Sequence, residues 1–138
     1  MDEKENALIV SDDFTTKIFF KKNLTNFYII EKRSSIEAIN IAENTILDIV
    51  IIDDRIEDAI DLCFQLKKRK RLFTVPIILI TSRLKKTYLQ SAQKAGVFDF
   101  LFLPLDETKL IQILQKCQEE KKRIKKISSI SFKLNKDS

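Results

Sequence analysis

Ile49-Val50-Ile51-Ile52 is an unbroken run of branched apolar residues that ends on Asp53 and Asp54. A strand with one wet face alternates apolar and polar residues, and this one does not. Its two faces are therefore both to be covered, as in the centre of a parallel sheet with helices on either side. Four further strand-like runs accompany it: Ala7–Ser11, Phe27–Glu31, Val75–Thr81 and Phe98–Leu103. The stretches between them repeat apolar residues at helical spacing. They predict helices over Thr15–Lys22, with Ile18 and Phe19 inward, and from Ser34 or Ser35 to Asn44, with Ile36, Ile39 and Ile41 as the apolar set. Two more follow over Asp58–Lys70, carrying Ile60, Leu62, Cys63 and Leu66, and over Leu84–Ala95, stopped by Gly96. The last predicted helix runs from Glu107 to about Lys126. Five such repeats predict an α/β fold: a five-stranded, doubly wound parallel sheet with helices on both faces.

In that fold the carboxyl ends of the strands meet along one edge. Asp12 and Asp13 follow the first strand, Asp53 and Asp54 the third, and Thr81 ends the fourth. Carboxylates gathered there repel one another unless a cation sits among them. Three close acidic oxygens suit a hard divalent ion such as Mg²⁺. One of them is then a candidate nucleophile toward phosphorus. Each residue also has a plainer reading: Asp12 as a turn or helix cap, Asp54 as a solvated neighbour, Thr81 as a strand former.

Other classes are excluded by what the chain lacks. There is no histidine, which removes His-activated nucleophiles and most zinc chemistry, and a single glycine excludes a glycine-rich phosphate loop. Its 138 residues, 44% of them hydrophobic, suit one domain with one core. No apolar run reaches the roughly 20 residues of a membrane span. The polar, acidic start (Met1 to Asn6) does not resemble a signal peptide, so a cytoplasmic location is expected. Cys63 and Cys117 read as structural thiols. The net charge of +5 is local: residues 116–138 hold eight Lys/Arg and three Asp/Glu, and the remainder balances. Residues 1–126 are expected to form the domain and 127–138 a basic tail, with Ser128–Leu134 either a small added strand or a loose segment.

The order of these motifs resembles the receiver domain of two-component response regulators, most closely the single-domain chemotaxis type, over about residues 6–124. The residues that carry it are Ile9-Val10-Ser11-Asp12-Asp13, Asp48 to Asp53, Val75 to Ser82 and Ala95 to Pro104. The resemblance implies that Asp53 accepts a phosphoryl group from a histidine kinase, a phosphotransfer protein or a small phosphodonor. It implies that Asp12, Asp13, Asp53 and the backbone carbonyl of Arg55 hold Mg²⁺, that Thr81 hydrogen-bonds the phosphoryl group and that Phe100 is the switch aromatic. It implies a cis peptide at Leu103-Pro104. Output is expected as altered affinity for a protein target, through the surface of the fourth helix, fifth strand and fifth helix. Neither nucleic acid nor an enzymatic activity beyond self-phosphorylation and self-dephosphorylation is expected.

Two departures qualify this. Leu103 stands where the family pattern has a lysine, and the loop after Asp53 is about two residues shorter and lacks the usual glycine turn. Arg55 and Arg83 are placed to ring the same pocket, and Arg83 is the candidate for restoring the missing charge. The alternative reading is a pseudo-receiver, an interaction module of the same fold that does not signal by phosphorylation.

Overall fold

The computed structural model describes residues 4–137. Strands β1 (Glu5–Val10), β2 (Phe27–Lys32), β3 (Ile49–Asp53), β4 (Ile77–Thr81) and β5 (Asp99–Phe102) form one parallel sheet in the order β2-β1-β3-β4-β5. Between and after them come α1 (Phe14–Asn23), α2 (Ser35–Asn44), α3 (Ala59–Lys67), α4 (Lys86–Lys94) and α5 (Glu107–Asp137). The doubly wound architecture expected from the Ile49–Ile52 run is the one observed, with β3 central and buried throughout.

Strand alternation divides the core into two layers. Leu8, Val10, Val50, Ile52, Ile77 and Leu79 face one side, packed by Ala38, Ala42, Leu62, Leu66 and Ala92 of α2, α3 and α4. Ala7, Ile9, Ile49, Ile51, Ile78 and Ile80 face the other, packed by Phe20 of α1 and by Leu110, Ile113 and Cys117 of α5.

The inward faces of two helices differ from expectation. In α1 the fully buried aromatic is Phe20, with Phe19 partly buried and Ile18 exposed. In α2 the small residues Ala38 and Ala42 approach the sheet while Ile36 is exposed. Close approach of α2 requires small side chains at its contact line, which a count of large apolar residues overlooks. Helix α3 stops at Lys67, and a short 3₁₀ turn (Lys70–Leu72) follows. Lys67 turns back there, its Nζ donating to the carbonyls of Leu72, Phe73 and Val75 at 3.1, 3.2 and 2.5 Å. Burial holds its ammonium below the usual lysine pKa. Gly96 lies beside it at φ +104°, in the region that favours glycine, and a Cβ there would stand 2.3 Å from Lys67 Cγ.

The expected strand or loose segment at the C-terminus is corrected: α5 continues through Lys126 to Asp137. Its 31 residues span roughly 46 Å. No glycine or proline follows Pro104, and Ile124, Ile127 and Ile130 keep helical spacing.

Candidate functional site

The β1–β3 register pairs Val10 with Ile52, so the next residues, Ser11 and Asp53, arrive side by side at the carboxyl edge. Both are buried, and Ser11 Oγ donates to Asp53 Oδ2 at 2.7 Å. A carboxylate taken from water needs a cation. Here Arg55 supplies it: Nε donates to Asp53 Oδ1 at 2.9 Å and Nη2 to Oδ2 at 2.8 Å, a bidentate pair, while the Arg55 backbone N–H adds a 3.0 Å bond to Oδ1. The hydrogen bonds to Asp53 raise the guanidinium pKa further. Nη2 also donates to Thr16 Oγ1 at 2.9 Å and lies 3.6 Å from Asp13 Oδ2.

Asp13 is otherwise occupied with α1. Its Oδ2 accepts from the Thr16 N–H at 2.9 Å, Thr16 Oγ1 at 2.8 Å and Thr15 Oγ1 at 3.0 Å, capping the helix. Those bonds, led by the Thr16 hydroxyl, hold its carboxyl below the ordinary range. Asp12 is exposed, on the rim of a cavity of about 380 Å³ that Arg33, Arg55 and Glu57 also line. Among the described residues no three acidic, histidine or cysteine side chains stand together so as to hold a metal ion. With the Arg55 guanidinium on both oxygens of Asp53, the carboxylates of Asp12, Asp13 and Asp53 do not converge on one cation in this arrangement.

Thr81 is fully buried at the end of β4, its Oγ1 accepting from the Arg83 N–H at 3.0 Å. The Arg83 guanidinium does not reach Asp53. It stacks 4.7 Å above the ring of Tyr88. Strand alternation sends Asp54 away from Asp53, to the α4 side, where its Oδ2 accepts from Tyr88 Oη at 2.8 Å. Burial, and then Asp54, push the Tyr88 phenol up to about 12. Phe100 stacks on Phe102 with centroids 5.9 Å apart, above a 570 Å³ groove between β5 and α5. The Leu103-Pro104 peptide is cis. Sequence reasoning missed Ser11, Thr16 and Tyr88. The first is legible from the strand register, and the other two appear only when helices are docked.

A parallel sheet with an acidic carboxyl edge and a buried hydroxyl on the neighbouring strand is the architecture of a receiver-type domain. Residues 7–115 match the response regulator receiver domain, and the chain belongs to that family. Chemotaxis response regulator CheY4 of Vibrio cholerae is similar, with a TM-score of 0.78 and 17% identity over 83% of this chain and 99% of that one. So is the receiver domain of sensor histidine kinase PA1611 from Pseudomonas aeruginosa, with a magnesium ion coordinated in its active-site cleft: TM-score 0.75, 22% identity, 83% and 97% covered. At these identities the likeness is one of fold. Histidine kinase P4 of Formosa agariphila is 24% identical over 126 residues, which cover 89% of this chain and 9% of that relative's length. No helix among the described residues is long and apolar enough to cross a membrane.

Proposed function

We propose that this receiver domain serves as a protein-interaction module in which Arg55, and not a divalent ion, neutralises Asp53, so that phosphorylation is not its switch. The observation that carries this is the bidentate Arg55–Asp53 pair at 2.8 and 2.9 Å. Phosphoryl transfer to a carboxylate needs an in-line approach to a free oxygen and a cation to neutralise charge on the transferred group. Both Asp53 oxygens already accept hydrogen bonds, and Leu103 brings no ammonium to the pocket. Retention of Asp53 then has a structural reason, since it ties β3, Ser11 and Thr16 together through one guanidinium.

A second reading is supported by one observation: the Arg55 side chain is 47% exposed, so it can swing into solvent without repacking the core. Asp53 would then be the phosphoacceptor, served by a histidine kinase or phosphotransfer protein, with Thr81 and Phe100 relaying its state to a protein target at α4, β5 and α5.

Incubation with Mg²⁺ and acetyl phosphate, followed by intact mass, tests the choice. The expected result is no gain in the wild type. A gain of one phosphoryl group that Asp53→Ala abolishes overturns the interaction-module reading and establishes the second.

A further inference from the structure

The edge of the sheet opposite Asp53 carries a built groove. It runs between α5 and the two loops that lead into β3 and β4, and encloses about 390 Å³. Its floor is Leu47, Val75 and Ile124. One wall is the loop pair, presenting Asp48 and Thr74. The other wall is α5, presenting Lys121, Lys125 and Ser128. Lys121 is engaged by Glu5 and by Asp48 at 3.7 Å, which anchors the helix under the sheet. Lys125 has no ion pair among the described residues, and Lys122 and Lys126 follow the same helix. The whole excess charge of the chain lies in this segment.

We infer that this groove docks an acidic segment of a protein partner, one that seats an apolar side chain on Leu47, Val75 and Ile124 and sets a carboxylate against Lys125, the lining lysine that has no ion pair among the described residues. The charge complement identifies the occupant. A second copy of this chain would bring another cluster of cations onto the first. A bilayer surface cannot reach a floor recessed between a helix and two loops. Nucleic acid would leave the apolar floor uncovered. The groove is remote from Asp53, so this inference stands whichever reading of that residue holds.

The test uses the full chain and two fluorescent synthetic peptides, one with leucine and phenylalanine anchors among glutamates, the other with the same anchors among glutamines. The acidic peptide is expected to bind, more weakly at high salt, and to shift the amide resonances of Leu47, Val75 and Lys125. Lys125→Glu and the floor variant Ile124→Ser are each expected to weaken binding about tenfold. Lys125 is exposed and Ile124 half-buried, so these variants are expected to fold, which circular dichroism checks. Asp53→Ala is expected to bind as the wild type does. Equal binding of the two peptides, or none, overturns the inference. So does concentration-dependent dimerisation that hides the groove, or displacement of the acidic peptide by duplex DNA or phosphatidylglycerol vesicles.

Discussion

Asp53 is 1% exposed, whereas the Arg55 side chain that grips it is nearly half in water. Removing either partner therefore leaves a different orphan. Arg55→Ala strands a buried carboxylate and is expected to cost about 1–3 kcal/mol. Asp53→Asn keeps an acceptor for Ser11 and releases a guanidinium that water can solvate, so it is expected to cost less. Urea denaturation of the two variants measures the difference, and equal losses would show that the pair is not asymmetric. Asp13 gives a pH signature at the same corner. Its carboxyl is held below 3.8 by Thr16 and Thr15, so the unfolded chain takes up this proton first as pH falls. The stability it adds is present above about pH 4 and is lost as pH falls through the lower folded value. Asp13→Ala is expected to cost about 1 kcal/mol at neutral pH. The gap between the two melting curves should close as acid protonates the wild-type cap.

Helix α4 is held at its start by Tyr88, whose hydroxyl reaches Asp54 across the sheet edge. Tyr88→Phe is expected to lose about 1 kcal/mol and to speed amide exchange in Lys86–Lys94 more than elsewhere. The turn after α3 offers a second case. Gly96→Ala puts a methyl group into Lys67 and strains a positive φ, with an expected loss above about 1 kcal/mol. Lys67→Ala removes the clash but strands three carbonyls, so the double variant should show coupling and not simple addition. Element boundaries were legible where a residue has one conformational use: Ser34 caps α2 by accepting from the Glu37 N–H, Pro76 stands just before β4, and Gly96 ends α4. The inward faces of α1 and α2 were not: in α2 the alanines that set close packing carry little apolar signal, and in α1 Phe20, rather than its neighbours Ile18 and Phe19, is the fully buried aromatic. Ser128–Leu134 reads equally as period two and as part of a helix, and nothing after Pro104 breaks the helix begun at Glu107. At the site, the acidic positions follow from strand ends, but which charge meets which depends on a loop geometry that spacing does not encode. Arg55 and Arg83 looked alike in sequence, and one faces Asp53 while the other lies on Tyr88.

The molecule as a whole rests on two apolar layers separated by one sheet, and among the described residues α5 beyond Lys126 adds no fully buried side chain to either. We propose that residues 1–126 hold the folding unit. A chain cut after Lys126 is expected to keep its unfolding free energy within about 0.5 kcal/mol, and a larger loss in urea would place the distal helix within that unit. Cys63 and Cys117 report on the layers separately, one in each. Burial pushes both thiols up to about 12, so alkylation at neutral pH should be slow and should track global opening at both positions. Neighbouring Asp53 and Asp54 answer to opposite layers: one is clasped by the arginine that also touches α1, the other holds the tyrosine of α4. A single amide plane thus acts as the axle between the two halves of the protein. A partner that grips α4 is therefore expected to pull, one peptide away, on the strand end that carries the Arg55 clasp, and amide shifts at Arg55 on such binding would show it.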